Sequence, residues 1–334
     1  METEPHQPRL ERFVDDQITA QHMADASRLF SLHYGVWGPL ASTHLGKWAR
    51  QGKRVQLSPV RLRRECCAEL TGRGRGRRER EEGGQGRVTD VHNECVRAVV
   101  GAEGGGNGGE VEVVGHVLAT RWTVPIDSTA AADFSDRDRQ PVHVCWITQV
   151  VVHAARRRKG IATAMLRLIH SATLTPTLPS TLFAILTSHA ATLRACARAF
   201  KNGASLLDDG VLDLALIRRL APPLVRGAPV KYVCEAEVRG SLFDSEGEGE
   251  RGGGRDWLRE MREEEVGAQG ELREEGKDAG RWRSGAVASA YARFYLDHAE
   301  PDEAMAVAQR EGGGKWILGD LEEGCELLVL MEGC

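Results

Sequence analysis

The sequence has no long run of apolar residues, few aromatic residues and little net charge. Phe, Trp and Tyr make up 5% of the 334 residues, and the formal net charge is -4. A transmembrane helix needs about 20 consecutive apolar residues, so the sequence predicts no membrane association. A net charge this small does not favour nucleic acid as a partner. The N-terminal segment METEPHQPRL lacks the apolar core of a signal peptide, and we therefore expect a cytoplasmic protein.

Signatures of metal sites and disulfide frameworks are also missing. The sequence has eight cysteines, including the adjacent pair Cys66 and Cys67. None of them lies in a Cys-x-x-Cys motif or at the spacing of a Cys/His metal site. We therefore expect no bound metal, and we interpret most of the cysteines as small apolar residues in a reducing compartment.

Four segments consist mainly of glycine, charged and small polar residues, at positions 71–87, 101–110, 125–140 and 245–280. Such compositions bury too little apolar surface to fold by themselves, so we expect mobile insertions with at most one helix, near residues 257–261. The RGRGRR run in the first segment is interpreted as solvated, with a nucleic-acid contact or a modification site as the alternatives. The chain length allows two domains, which we place at residues 1–210 and 211–334.

The N-terminal third combines strand and helix patterns. A short strand is predicted within residues 10–18, and Thr19 is a suitable cap for a helix over residues 20–32. Residues 91–100 and 111–124 have the β-rich composition of two strands. Because a glycine-rich segment joins them, they predict a hairpin with a long turn.

The stretch from Val144 to His170 changes from a strand pattern to a helix pattern. Its first part is rich in Val and Ile, and from Ala162 onward apolar residues recur at helical spacing. Between them lies the basic, glycine-bearing run 156–160. A helix N-terminus preceded by such a run offers free backbone N–H groups and positive charge, and a glycine lets the backbone approach an anion. We therefore predict a phosphate-binding loop, with a solvated basic loop or a localisation signal as the alternatives.

The stretch has neither a Walker loop nor a dinucleotide fingerprint around Gly160. It resembles motif A of the GNAT acetyltransferases, which falls here on Arg157, Arg158, Lys159, Gly160, Ile161 and Ala162. The resemblance implies that the loop amides bind the pyrophosphate of acetyl-CoA. It also implies that the preceding strand splays from its neighbour, so that backbone groups at Val150 and Val152 pair with the pantetheine arm.

The segment after this helix resembles motif B of the same family. Residues 181–187 predict a buried strand, and Ser188 is expected to cap a helix over residues 189–201 and to help hold the cofactor. The order of elements predicts the α/β GNAT fold, a mixed and splayed central sheet flanked by helices. Many members carry a tyrosine near the end of the second helix that protonates the departing thiolate. Here Phe200 stands in that region, so another group or water must supply the proton.

The C-terminal part has a narrower resemblance. Segments 231–244, 297–301 and 316–326 are similar to the C-terminal region of fungal lysine acetyltransferases, which acetylate the side-chain amine of free L-lysine in lysine catabolism. The resemblance implies acetyl-CoA as donor, L-lysine as acceptor and an additional α+β region over the substrate. In GNAT proteins the helices after the first strand wall the acceptor site, so the wider resemblance makes Tyr34 and Trp37 candidate pocket residues, with ordinary packing as the alternative. Cys325 stands where the related enzymes tend to have a histidine.

Direct acetyl transfer needs a proton acceptor, because only a free amine attacks a thioester and the reference pKa of a lysine amine is about 10.4. Gln149 stands where several GNAT enzymes have a glutamate base, and it can orient a water. His116 is a second candidate that can face the same cleft. His298 is a third, because Asp297 or Glu300 can fix its tautomer. A structural role is the alternative for both histidines.

Binding of lysine would also require carboxylates for its ammonium groups. The C-terminal region offers four, and a solvated surface position is the default expectation for each of them: Glu300, Glu303, Glu323 and Glu326. The primary interpretation is a lysine N-acetyltransferase. The alternatives are a protein or peptide N-acetyltransferase and a catalytically degenerate protein that binds acetyl-CoA.

Overall fold

The structure is a computed structural model that describes residues 7–69, 89–101, 111–124, 142–173, 181–200, 221, 223–238, 286–312, 321 and 323–332. These residues form an α/β fold in which helices flank an eight-stranded mixed sheet. Apart from Gly101, the four predicted insertions lie outside the described residues, as does the helix predicted near residues 257–261. Of the helices that are described, none has the length and apolar character needed to cross a membrane.

The strands follow the spatial order β1-β2-β3-β4-β5-β8-β7-β6. Their bounds are β1 Arg9–Val14, β2 Thr89–Val100, β3 Glu112–Val124, β4 Val142–Val152, β5 Thr181–Thr187, β6 Glu237–Val238, β7 Ala286–Phe294 and β8 Gly324–Glu332. All neighbouring strands are antiparallel except β4 and β5, which are parallel. The predicted hairpin is confirmed as β2 and β3. The C-terminal strands continue the same sheet rather than forming a separate one.

The helices are α1 Ala20–His33, α2 Ala41–Leu45, α3 Pro59–Cys66, α4 Ile161–Thr173, α5 Ala190–Phe200, α6 Lys231–Cys234 and α7 Ala299–Gly312. The predicted cap of α1 is confirmed, because the Thr19 hydroxyl accepts a hydrogen bond from the His22 amide at 3.3 Å. Helix α4 begins one residue before Ala162. This local agreement follows from the strong apolar spacing of both helices.

The sheet carries helices on both faces. One face packs α4 and α5 through a cluster that includes Met165, Leu166 and Phe200. The other face packs α1, α3 and residues 221–238 against β2, β3, β4 and β8. Helix α4 approaches β3 closely at Gly115, where an added Cβ would lie 2.9 Å from Met165 Cε. The glycine therefore fixes how near the first turn of α4 lies to the sheet.

Six of the seven described cysteines are buried. Only Cys234 is exposed among them. The interpretation of most cysteines as small packing residues agrees with this burial.

Candidate active site

The predicted site residues converge on one edge of the sheet. Strands β4 and β5 are parallel, so both end at this edge, and β8 begins there because it runs antiparallel to β5. Helix α1 also ends there, since the rings of His33 and His153 lie 4.0 Å apart. The edge therefore combines the end of α1, the loop before α4 and the start of β8.

A gap opens between β4 and β5 at this edge. Their pairing extends from His143 with Thr181 to Ile147 with Ile185, and β4 then continues to Val152 paired with β3 but not with β5. An irregularity in the pairing of β3 with β4 lies where the gap begins. There Leu118 opposes Gln149 and Ala119 opposes Ile147, so Thr148 is the extra residue of a bulge. A bulge bends its strand, and here it coincides with the point where the pairing of β4 with β5 ends.

Backbone groups of β4 face this gap. The His153 amide donates to the Val114 carbonyl of β3 at 2.9 Å. Because alternate residues of a strand present their amides to opposite sides, Val150 and Val152 face away from β3 and into the gap. The predicted placement of these two residues at an open strand edge agrees with this geometry.

The loop between β4 and α4 presents a helix N-terminus to the same edge. Gly160 has φ +78°, and its carbonyl accepts the first helical hydrogen bond, from Ala164, at 2.9 Å. An added Cβ at Gly160 would meet no atom within 4 Å, so open space lies before the glycine. Arg158 and Lys159 are exposed, and within the described part of the chain neither forms an ion pair. Free amides of the first turn and two unneutralised cations therefore lie together.

Arg157 has a different position from its two neighbours. Its guanidinium donates to the Val152 carbonyl at 3.3 Å and to the His33 carbonyl, and it pairs with the Glu300 carboxylate. Burial, with the charge of Arg54, lowers its pKa. Since these partners occupy its donors, Arg157 joins α1, β4 and α7 around the loop.

The start of α5 differs from the sequence prediction. The helix begins at Ala190, and His189 rather than Ser188 precedes the first helical residue. The His189 Nδ1 accepts a hydrogen bond from the Ala191 amide at 3.2 Å, so the imidazole takes the capping position that Ser188 was expected to fill. Its Nε2 lies 3.8 Å from Glu300 Oε1, and burial, with the charge of Arg157, lowers its pKa to about 4.

Gln149 and His116 form a buried pair. The His116 Nε2 lies 2.6 Å from Gln149 Oε1, so the imidazole donates to the amide oxygen. Burial lowers the pKa of His116 to about 4, although the bond to Gln149 acts in the opposite direction. His116 is therefore neutral near pH 7 and fixes the orientation of the Gln149 amide.

His298 does not have the orienting carboxylate that its neighbours suggested. Asp297 Oδ1 accepts the Ala299 amide at 2.8 Å and so caps α7, while Glu300 pairs with Arg157. In the described structure the buried His298 Nε2 has no hydrogen-bond partner. Two acidic residues beside a helix start thus serve the helix and the loop, not the histidine.

Glu326 lies at the gap, and the expectation of a surface position is wrong for it. The residue is only 3% exposed, and burial raises its pKa to about 7. Leu327 forms the last pair between β8 and β5, so Glu326 stands just beyond the end of β5. Burial raises the pKa values of Tyr34 and Tyr232 well above 10, and the negative charge of Glu326 raises them further. The two pocket candidates from the sequence, Tyr34 and Trp37, both pack in the cluster that contains Leu296.

Tyr232 is a site residue that sequence reasoning missed. Its hydroxyl donates to the Thr148 carbonyl at 3.1 Å, at the bulge where β4 leaves β5. It reaches this position from the four-residue helix α6, on the face of the sheet opposite α4 and α5. No local pattern could have identified it, because the contact joins positions 84 residues apart.

Comparison of the chain with family models, with curated proteins and with solved structures found no match. The functional argument therefore rests on the gap, the loop and the buried polar groups.

Proposed function

We propose that the protein is a GNAT-type N-acetyltransferase that transfers an acetyl group from acetyl-CoA to the side-chain amine of free L-lysine. The observation that carries the proposal is the gap between β4 and β5, bordered by the N-terminus of α4. The choice of lysine as acceptor depends on the resemblance of the C-terminal segments to those of fungal lysine acetyltransferases.

The gap and the N-terminus of α4 offer binding groups for two parts of acetyl-CoA, its pyrophosphate and its pantetheine arm. Pyrophosphate would lie against the first amides of α4, near Arg158 and Lys159, because a helix N-terminus favours anions. The open space before Gly160 leaves the approach free. The pantetheine arm carries amide groups, which can pair with the backbone of Val150 and with the Val152 amide as an added strand would.

The same geometry supports attack on the thioester. The Val150 amide faces the gap and can donate to the carbonyl oxygen as negative charge develops on it. Gln149 precedes Val150 in β4, and its side chain is bound by His116. It can orient a water beside the acceptor amine. Direct attack by the amine requires no covalent enzyme intermediate.

We assign protonation of the departing thiolate to Tyr232, because its hydroxyl lies at the bulge beside the gap and the phenol stays protonated at any ordinary assay pH. We expect Tyr232→Phe to lower kcat about 100-fold while leaving the KM for acetyl-CoA near the wild-type value. Tyr291→Phe is the matched control, because it removes a phenol hydroxyl that bonds to the Tyr295 hydroxyl. Steady-state kinetics decide the point, and an unchanged kcat in Tyr232→Phe would remove the phenol from the mechanism.

The proposal is tested by mixing the protein with acetyl-CoA and each of several acceptors, and measuring free thiol. The acceptors are L-lysine, other small amines and a lysine-containing peptide. We expect turnover with L-lysine and side-chain acetyl-lysine as the product, identified by mass spectrometry. Turnover on the peptide alone would favour the protein acetyltransferase. Binding of acetyl-CoA with no turnover on any acceptor would favour the degenerate protein, and absence of binding would overturn the proposal.

A further inference from the structure

Glu326 is a buried carboxylate that pairs with no cation of the described residues. It is the first residue of β8 whose side chain shares a face with Leu328 and Leu330, which pack in the cluster around Trp146. Among the described residues it forms no ion pair, and burial alone accounts for its altered pKa. A buried ionisable group of this kind destabilises the charged protein, so a role in packing does not explain it.

Among the described residues, the charge of Glu326 acts on three titratable groups that are neutral near pH 7: Tyr34 after α1, Cys66 in α3 and Tyr232 in α6. The pKa values of all three lie well above their ordinary values because of burial. Within the described structure, Glu326 is thus the one group of this cluster that can carry charge near pH 7. Glu326 would therefore attract a cation that enters the gap from solution.

We infer that Glu326 receives the side-chain ammonium group of the acceptor and takes its proton, which makes it both the specificity residue and the general base of the reaction. The inference rests on the proposed acetyl transfer. It places the carboxylate base on β8, because β4 has Gln149 where several GNAT enzymes have a glutamate base. The acceptor class follows from the same contact. It is a primary amine on an unbranched arm that can reach a buried carboxylate, and neutral amides or hydroxyl compounds are excluded.

The proton transfers balance without any further reactant. One N–H bond of the ammonium group breaks and its proton moves to the Glu326 carboxylate, which frees the lone pair to form the bond to the thioester carbon. The C–S bond then breaks, and the thiolate takes the Tyr232 hydroxyl proton. The second proton of the attacking nitrogen returns to Tyr232 through water, while Glu326 releases its proton to solvent.

The test is the pH dependence of kcat/KM for L-lysine in the wild type and in Glu326→Gln. In the wild type we expect kcat/KM to rise through a pKa of about 7, because the carboxylate must be ionised to accept the proton. In Glu326→Gln we expect kcat/KM to fall about 100-fold or more, with the rise displaced toward the pKa of free lysine amine, about 10.4. Glu326→Asp keeps a carboxylate and should retain the rise near pH 7 with lower activity.

Two further measurements separate this inference from the proposed function. Titration calorimetry with acetyl-CoA should give the same affinity for the wild type and Glu326→Gln, because the cofactor loop is unchanged. Glu237→Gln is the control variant, because it removes an exposed carboxylate of the outer strand β6 that pairs with Arg293 of β7. It should leave the pH profile unchanged. If the wild type is active and Glu326→Gln keeps both its rate and its rise near pH 7, the inference fails while the proposed function stands. If the wild type turns over no amine at any pH, the proposed function fails, and the inference fails with it.

Discussion

Gly160→Glu is expected to weaken acetyl-CoA binding at least 100-fold while the protein remains folded. The substitution places a carboxylate where the pyrophosphate would meet the first turn of α4, and juxtaposed like charges cost several kcal/mol, which is about 100-fold or more in affinity. The free protein tolerates the side chain sterically, because nothing lies within 4 Å of the added Cβ. Titration calorimetry with acetyl-CoA measures the loss.

Gly52→Glu is the matched control for Gly160→Glu. Both glycines have positive φ, +74° for Gly52 and +78° for Gly160, and both face open space. Each substitution therefore carries the same backbone cost of about 1–2 kcal/mol and the same added charge. We expect Gly52→Glu to bind acetyl-CoA as the wild type does, so that strain and net charge are excluded as causes. Wild-type affinity in Gly160→Glu would remove the phosphate-binding loop from the proposal.

The sequence predicted the elements whose signals are local. Helix α1 has a threonine cap and α4 has regular apolar spacing, and both lie within one or two residues of the predicted positions. The order of β4, α4, β5 and α5 also follows from such signals. The first residue of α5 was misplaced because serine and histidine can both cap a helix, and here His189 accepts the amide bond.

Site geometry was less predictable because it depends on pairing between distant segments. Glu326 belongs to an acidic stretch that is typical of a surface, and only the insertion of β8 between β5 and β7 buries it. Asp297 is adjacent to His298 in the sequence, but its carboxylate accepts a hydrogen bond from the Ala299 amide and does not orient the imidazole. Gln149 and His116 meet because of the strand register at the Thr148 bulge, which no composition reveals.

Two buried glutamates are expected to respond oppositely to replacement by glutamine. The folded protein raises the pKa of Glu326 from 4.5 to about 7, so it binds that proton more tightly than the unfolded chain does. Stability from the protonated carboxyl is complete below pH 4.5 and is lost as the pH rises through 7. The loss amounts to at most about 3 kcal/mol, since one pKa unit is about 1.4 kcal/mol.

Glu326→Gln stays neutral at every pH and avoids this loss. Near pH 4.5 its free energy of unfolding should equal that of the wild type, and by pH 8 it should exceed it by up to about 3 kcal/mol. Urea unfolding at several pH values measures the difference. A lower stability of Glu326→Gln at pH 8 would mean that the ionised carboxylate makes a stabilising contact.

Glu94→Gln provides the opposite case. Its carboxylate is fully buried and pairs with Arg12 and, at 3.3 Å, with Arg121. Removing the charge leaves two partly buried guanidinium groups without their partner, so we expect a loss of about 2 kcal/mol at pH 8. The Glu94 carboxylate thus stabilises the fold, whereas the ionised Glu326 carboxylate, which is the form that accepts a proton, destabilises it. A stability gain together with loss of turnover in Glu326→Gln would therefore identify a carboxylate retained for chemistry, because a structural carboxylate would lose stability as Glu94 does.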